Sequence, residues 1–270
     1  MSNLSFPLPN KTSLAVGAVL GQAGCANTGL VLQKYVVADT GNKQWKKEFL
    51  DSIVCKKNSD VDQLFPLVFS RWKAMLDGFN GTSWQVKQFT ARTRWRLVAG
   101  LGIASTLEAS MSMHPVYGFP YIPGSSLKGM ARACAESLVK KGDEKAQTAI
   151  NDIFGPDPED DKKEEARRGK VIFFDAMPEK LPELDVDIIN SHYSDYYEGK
   201  APPADWLSPI PVYFLAVRPK TPFRFAVASK DETLAGQADA WLREGLDKLG
   251  VGSKTMVGYG HFDVPKDKQA

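Results

Sequence analysis

The chain has 270 residues, 43% of them hydrophobic and 24% charged, and its formal net charge is +2. This composition predicts a soluble globular protein with enough apolar material for one large domain. A net charge this small excludes a protein that coats nucleic acid through a global positive field.

The charges are unevenly distributed along the chain. Residues 1–100 carry 13 Lys and Arg against 6 Asp and Glu, whereas residues 101–200 carry 12 against 18. A basic first part beside an acidic middle fits a local surface for a polyanion better than a general coating. Chance variation explains the same numbers, so both interpretations stay open.

Three scattered cysteines, Cys25, Cys55 and Cys134, form no Cys-x-x-Cys pair. Their spacing excludes a zinc ribbon and a redox motif, so we expect neither a metal ion nor another cofactor. We find no signal peptide and no apolar run near the ~18 residues that a membrane helix needs. We therefore expect reduced thiols in a cytoplasmic protein that does not bind membranes.

Two stretches in the first third of the chain, residues 44–55 and 61–79, have apolar residues at helical spacing and predict helices. Residues 27–37 fit a short helix or a strand, residues 15–20 a weak strand, and residues 1–11 a loose arm. Several lysines lie in this N-terminal helical region and either form a solvated face or face RNA or another subunit. They are Lys43, Lys46, Lys47, Lys56 and Lys57.

Residues 88–101 predict a strand with three arginines, Arg92, Arg94 and Arg96, on one face of the pleat. Side chains alternate between the two faces of a strand, so every second residue shares a face. This row is equally compatible with a phosphate track and with the polar outer face of a sheet.

Residues 120–129 read Pro-Tyr-Ile-Pro-Gly-Ser-Ser-Leu-Lys-Gly. They predict an extended segment, a Pro-Gly turn that Gly124 permits, and a helix that ends near residue 141. Ser125 or Ser126 is a suitable N-cap. Lys128 in the first turn indicates an anion site, because a helix N-terminus and an ammonium group both attract phosphate. A capped helix with a solvated lysine explains the same residues.

The predicted helix has two distinct faces. Lys128 and Arg132, four residues apart, share a polar face where both could contact a backbone phosphate. The opposite face is apolar. It consists of Leu127, Met130, Ala131, Cys134 and Leu138.

The middle of the chain contains two predicted excursions. Residues 143–168 are rich in charge and predict a surface insertion, after which residues 170–175 predict a buried strand ending in a turn residue, Asp175. Residues 181–208 predict a long loop whose rings either stack on bases or anchor the loop on its own core. The loop's aromatic and histidine side chains are His192, Tyr193, Tyr196, Tyr197 and Trp206.

Four elements complete the prediction: strands over 210–217 and 222–227, an amphipathic helix over 234–249, and a strand over 259–264. From residue 88 the order is strand, helix, strand, a pair of strands, helix and strand. That is the βαββαβ order of ferredoxin-like, RRM-like folds, with a pair of strands in place of the third strand. The aromatic sheet motif of RNA-recognition modules is missing, so we expect RNA to bind at loops and helix starts.

We therefore predict an α+β protein with one domain over residues 1–270. A ferredoxin-like core would span residues 88–264, with insertions at about 143–168 and 181–208. An N-terminal helical region, residues 1–87, would pack on this core.

Residues 250–260 read Gly-Val-Gly-Ser-Lys-Thr-Met-Val-Gly-Tyr-Gly. Glycines let a backbone approach a ligand and turn its amides toward phosphate. The spacing is not that of a P-loop, because a serine and not a glycine precedes Lys254. It is not a dinucleotide fingerprint either, because the stretch follows a helix and leads into a strand.

Other groups of residues accompany the 120–129 and 250–260 stretches. They include Arg96-Leu97-Val98-Ala99-Gly100-Leu101-Gly102, Tyr117-Gly118-Phe119-Pro120, Ile153-Phe154-Gly155, His192-Tyr193 and Pro202-Pro203-Ala204-Asp205-Trp206. The helix start and glycine stretch resemble the RAMP superfamily of CRISPR-associated proteins, which hold guide RNA. The whole set, over about residues 90–264, resembles the family of sixth subunits of the type III-B (Cmr) effector complex.

This resemblance implies a non-catalytic, RNA-binding structural subunit of an antiviral ribonucleoprotein. It would hold the 3′ part of the guide RNA (crRNA) and its target RNA by backbone contacts, beside the repeated RAMP backbone subunit and a neighbouring terminal RAMP subunit. The implied RNA-binding residues are Pro123, Gly124, Ser125, Ser126, Lys128, Arg132, Gly250, Gly252, Ser253, Lys254, Thr255 and Tyr259. Further loop contacts would come from His114, His192, Tyr193 and Trp206.

An enzyme is the main alternative, because metal-independent RNA cleavage needs an acid and a base near the 2′-hydroxyl. His192 with Asp205, or His114 with Asp175, could form such a pair in an endoribonuclease of the same superfamily. Spacing marks neither pair, so we expect no catalysis. A third interpretation makes the loops docking surfaces for proteins only.

Overall fold

The computed structural model of the chain describes residues 4–5, 9, 11–14, 25, 27–36, 38–39, 41–42, 44–55, 59–80, 82–139, 143–156, 167–191, 196, 199–200, 202 and 210–265. Its helices are α1 (Thr28–Gln33), α2 (Trp45–Cys55), α3 (Ser59–Asn80), α4 (Gly124–Leu138), α5 (Glu144–Phe154) and α6 (Glu232–Lys248). Its strands are β1 (Leu4–Ser5), β2 (Ala38–Asp39), β3 (Gln85–Thr93), β4 (Val171–Phe173), β5 (Met177–Pro178), β6 (Leu184–Ser191), β7 (Ile210–Val217), β8 (Pro222–Ser229) and β9 (Phe262–Asp263). A 3₁₀ turn covers Thr255–Val257.

A central antiparallel sheet has the strand order β4-β8-β3-β9, and β5 also pairs with β8. The long central pair, β3 and β8, runs in register from Gln85↔Ser229 to Arg92↔Pro222. In chain order, β3, α4, β4, β8, α6 and β9 form a βαββαβ unit. The predicted α+β, ferredoxin-like fold is therefore confirmed.

The first hydrophobic core lies between this sheet and the two crossover helices. Leu127 of α4 and Leu242 and Leu246 of α6 are fully buried in it. The two helices approach closely at Gly245, where an added Cβ would collide with the sulfur of Met130. The apolar face predicted for α4 is thus largely correct, although its last member, Leu138, is 50% exposed.

Part of the predicted charged insertion is a helix, α5. Its residues Ile150, Ile153 and Phe154 are buried in the same core as the crossover helices. Their i, i+3, i+4 spacing is a helical signal that the surrounding charges obscured. Residues 157–166, which carry most of the predicted acidic excursion, lie outside the described residues.

Strands β6 and β7 form a separate antiparallel pair, from Leu184↔Val217 to Ser191↔Ile210. Two predictions are wrong here, because residues 184–191 are strand and not loop, and because β7 pairs with β6 and not with β8. The sequence from Leu184 alternates apolar and acidic residues, which is the period of a strand. His192, Tyr193 and Trp206 of the predicted loop lie outside the described residues.

The N-terminal helices pack on two further cores. Leu32 of α1 and Leu50 of α2 are buried with Phe214 of the β6–β7 pair. Phe65 of α3 packs edge-on against Phe119, with ring centroids 5.0 Å apart. The helices predicted over 44–55 and 61–79 are confirmed, and residues 28–33 are helical. Residues 15–20 and most of 1–11 lie outside the described residues, and a single domain over 1–270 stays a prediction.

The predicted row of three arginines is wrong, because β3 ends at Thr93 and the chain then leaves the sheet. Arg94 instead forms ion pairs with carboxylates of α6 and β9. Arg96 pairs with two carboxylates of β6. Arg92, which is exposed, stays on the strand.

Candidate nucleic-acid interface

Helix α4 begins at Gly124, and a carboxylate binds its first amide. The Gly124 N–H donates a 2.7 Å hydrogen bond to Asp175 Oδ1, and no side chain at Pro123 caps the helix. The predicted serine N-cap is wrong, because Ser125 and Ser126 already lie inside the first turn. Asp175, predicted as a turn residue, supplies the negative charge that a helix N-terminus attracts. Phosphate would therefore compete with a resident carboxylate here.

Gly124 is required for a close approach and not for a turn. An added Cβ would lie closer than 3.0 Å to the carbonyl oxygen of Phe173, so a larger residue cannot fit without displacing β4. The backbone of Gly124 is helical, and the chain does not use its freedom to adopt a positive φ.

The glycine loop, residues 250–260, is fixed to the chain that continues from β3. Ser253 N–H donates to the Val98 carbonyl (2.8 Å), and Gly260 N–H donates to the Arg96 carbonyl (2.9 Å). Gly252 has a φ of +94°, and its Cβ would collide with the Val98 oxygen. Only glycine tolerates both this positive φ and this close approach of the Val98 carbonyl.

Three successive amides at the tip of the glycine loop are available to a ligand. The N–H groups of Lys254, Thr255 and Met256 donate no hydrogen bond within the described part of the chain. Lys254 has a left-handed backbone (φ 61°, ψ 31°), and a helical 3₁₀ turn follows it. Alternation of left- and right-handed residues makes neighbouring amides converge into a concave anion site.

The glycine loop and the start of α4 lie side by side across a cleft of about 450 Å³. Ser126 and Met130 line it from α4, and Gly252, Ser253 and Thr255 line it from the loop. The structure therefore brings together one predicted residue of the helix start and four of the predicted loop residues, since Gly250 also lines the cleft.

Lys128 and Arg132 do not line this cleft. At about 100° per residue they lie about 200° and 240° around the helix axis from Ser126, on the far side of α4. Arg132 forms an ion pair with Glu136 (2.7 Å) and reaches the Gly155 carbonyl (3.4 Å). Lys128 is half-buried and forms no ion pair with a described residue. Both cations stay predicted phosphate contacts, but neither lies in the cleft beside the glycine loop.

Lys254 and Tyr259 connect the glycine loop to the β6–β7 pair. The Lys254 ammonium lies 5.6 Å from the Phe214 ring centroid and 5.8 Å from that of Tyr259, within the range of cation–π attraction. Tyr259 is buried, and its hydroxyl donates to Asp187. Little of the Tyr259 side chain is therefore left to contact a ligand.

Sequence reasoning missed the acidic residues that hold this arrangement. Asp185 accepts from Arg218 (2.6 Å) and Asp187 from Arg96 (3.0 Å). Asp187, and Asp185 through its own contact with Arg96 (3.4 Å), join β6 to the segment that binds the glycine loop. The Arg218 contact joins β6 to the residue that follows β7. The alternation that predicts strand β6 would also have placed both carboxylates on one face of it.

His114 occupies a structured turn. Its Nδ1 accepts from the N–H groups of Val116 (3.3 Å) and Tyr117 (3.4 Å). Burial lowers the pKa of His114, and the charge of Asp175 opposes that shift. Burial and the same carboxylate raise the pKa of Tyr121. The three groups are therefore close enough to interact electrostatically.

Two other features are absent from the described ranges. There, no group of three or more His, Cys, Asp or Glu side chains is placed to hold a metal ion. No helix in this part of the chain is both long enough and apolar enough to span a bilayer.

The ferredoxin-like core and the cleft at its first helix define the class of protein. The family model of the RAMP superfamily matches residues 89–263, so the chain belongs to the RAMP superfamily. Two relatives then define the subunit. The CRISPR system Cmr subunit Cmr6 of Pyrococcus furiosus is 31% identical, over 74% of this chain and 73% of that protein. Cmr6 of Saccharolobus solfataricus is 28% identical, over 91% and 83%.

These matches assign the chain to the Cmr6 subunit family. A solved structure is similar as well. It is a chain in the cryo-EM structure of the type III-B Cmr-beta bound to cognate target RNA, with a TM-score of 0.63 and 26% identity. The match covers 86% of this chain and 78% of that chain.

Proposed function

We propose that this chain is a non-catalytic RNA-binding subunit of a type III-B Cmr complex in the cytoplasm. It holds the 3′ part of the guide RNA, with its target, through contacts to the RNA backbone. Its protein neighbours are the repeated RAMP backbone subunit and a terminal RAMP subunit. Membership of the Cmr6 family supports this assignment, as does the likeness to a chain of a complex bound to target RNA.

The observation that carries the proposal is the run of three open amides at Lys254, Thr255 and Met256. Peptide N–H groups that converge on one point bind a phosphate without the flexibility of long side chains. The Lys254 ammonium adds positive charge beside them, because no described carboxylate pairs with it. Ser126 lies across the cleft, where its hydroxyl can donate to the same backbone.

Such contacts would position the RNA without reading its sequence. Phosphate contacts carry no base information, whereas specificity needs contacts to base edges. A guide RNA has a different spacer in every complex, and a subunit that binds only the backbone accepts all of them.

Site-specific crosslinking in the assembled complex tests the proposal. A photoreactive residue replaces Met256, which is 96% exposed at the loop tip. Leu138, which is 50% exposed at the far end of α4, is the matched control position. We expect guide RNA to crosslink through its 3′ part from position 256 and not from position 138. Crosslinks from 256 to protein alone would make the loop a docking surface and overturn the RNA contact.

An endoribonuclease is the second candidate, because the Asp175 charge acts on both His114 and Tyr121. The geometry favours a structural role for this group, since His114 Nδ1 already accepts two backbone amides. His114→Ala in an assembled complex distinguishes the two functions. Unchanged RNA cleavage supports the binding subunit, whereas loss of cleavage with intact assembly and guide binding supports the enzyme.

A further inference from the structure

A second concave surface lies at the opposite end of the central sheet from the glycine loop. This pocket of about 590 Å³ is lined by Trp84, Arg168, Lys170, Ile172 and Lys230, among others. Trp84 immediately precedes β3, whereas the glycine loop is bound to the chain that follows it. The nine residues of β3 at 3.4 Å per residue separate the two sites by about 30 Å. The pocket is therefore independent of the cleft.

The indole of Trp84 is held in a defined position. Its ring packs edge-on against Phe79, with centroids 5.7 Å apart. Its backbone N–H donates to Thr82 Oγ1 (3.3 Å), whose hydroxyl donates to the Phe79 carbonyl. The Lys230 ammonium lies 5.7 Å from the indole centroid. A fixed ring with a cation beside it costs little conformational entropy when a ligand stacks on it.

The pocket carries an excess of positive charge. Arg168 and Lys230 form no ion pair with any described residue, although Lys170 pairs with Asp152 at 3.0 Å. Asp231 is the carboxylate among the lining residues. Its oxygen accepts the N–H groups of Thr233 and Leu234 as the N-cap of α6, so it is already engaged.

We propose that this pocket binds one nucleotide of a single-stranded RNA segment. The base stacks on Trp84, and the phosphate contacts Lys230 and Arg168. Proteins that bind single strands combine aromatic rings for the bases with cations for the backbone. The volume lies in the range that accommodates small ligands. The choice of RNA as the ligand rests on the proposed function, but the pocket shares no lining residue with the cleft at the glycine loop. A peptide added as a strand beside β4 would leave Trp84 and Lys230 unused.

Crosslinking from the pocket wall tests this site in the complex assembled with labelled guide RNA and a target RNA. A photoreactive residue replaces Ile172, which lines the pocket and is 36% exposed. We expect RNA crosslinks that fall at least fivefold when Trp84→Leu or Lys230→Gln is added. Lys34→Gln, the same change at an exposed lysine after α1, leaves them unchanged. Lys230→Gln alters only a surface side chain, so its result stands even if Trp84→Leu impairs folding.

Crosslinks from Ile172 to protein alone, or RNA crosslinks indifferent to Lys230→Gln, would overturn the site. The crosslink from Met256 reports the glycine loop in parallel. Signal at 256 without signal at 172 rejects the pocket and leaves the proposed function standing. Signal at 172 without signal at 256 supports the pocket and rejects the loop.

Discussion

Tyr259 Oη donates a 2.5 Å hydrogen bond to Asp187 Oδ2 and ties the glycine loop to strand β6. Burial, reinforced by this hydrogen bond, raises the pKa of Tyr259 to about 12. The hydroxyl therefore stays protonated, and the bond intact, throughout the physiological pH range. Since Arg96 contacts the same carboxylate, the loop, the segment that follows β3 and the β6–β7 pair form one connected unit.

Tyr259→Phe should lower the free energy of unfolding by about 1–2 kcal/mol, because it removes the hydroxyl that donates to Asp187 Oδ2. Urea unfolding measures the change. Tyr213→Phe is the matched control on β7, since the Tyr213 hydroxyl forms no hydrogen bond in the described part of the chain. It should change stability by less than about 0.5 kcal/mol. Equal losses in both variants would show that the Asp187 bond contributes nothing.

Two glycines of α4 should respond oppositely to alanine. Gly124→Ala forces a methyl group into the Phe173 carbonyl and should destabilise the protein by about 1–3 kcal/mol. At Gly129 an added methyl group has no atom within 4 Å, so Gly129→Ala should stabilise the protein by up to about 1 kcal/mol through helix propensity. Thermal unfolding of the two variants gives the comparison. A Gly124→Ala protein as stable as wild type would contradict the close approach of α4 to β4.

Removing the charge of Asp175 should strengthen RNA binding. Asparagine still caps a helix, but it no longer repels phosphate at the α4 N-terminus. We expect Asp175→Asn to bind fluorescent oligouridine about two- to fivefold more tightly at low salt. Asp143→Asn makes the same exchange at the N-cap of α5 and should leave binding unchanged. Weaker binding by Asp175→Asn would show that the carboxylate assists the site.

Acid stability should depend on Asp152. Lys170, and to a lesser extent Arg167, lower the pKa of this carboxyl in the folded protein. The unfolded chain, with a pKa of about 3.9, therefore takes up the proton first as the pH falls. The stabilisation is complete above about pH 4 and is lost as the pH falls through the lower folded pKa. Asp152→Asn should make the melting temperature less steeply dependent on pH below about 4. An unaltered pH profile would exclude this contribution.

Local patterns were sufficient to predict much of the fold. The spacing of apolar residues predicts α2, α3 and α6, and the four glycines of residues 250–260 predict a backbone that turns its amides outward. These features depend on neighbours along the chain. The βαββαβ order follows from them once the four strands β3, β4, β8 and β9 are counted.

The errors arose where distant residues decide the outcome. The cap of α4 comes from Asp175, 51 residues after the amide that it binds. No local pattern distinguishes this cap from the adjacent serines. Lys128 was correctly placed near the start of α4, but the rotation of the helix, which turns Lys128 away from the cleft, depends on how α4 packs on distant residues. The prediction that Arg94 and Arg96 share a strand face with Arg92 failed because β3 ends at Thr93.

The salt dependence of RNA binding tests most directly whether the glycine loop holds an RNA backbone. Each phosphate neutralised on a single strand contributes about −0.7 to the slope of log K against log salt. Lys254→Ala removes the loop's cation. Lysine and alanine both carry a Cβ and are equally strained at the left-handed φ of 61°, so the exchange adds no backbone cost. In the assembled complex, we predict weaker guide RNA binding and a slope reduced by about 0.7, with Lys34→Gln unchanged. An affinity and a slope identical to wild type would contradict an RNA backbone contact at this loop.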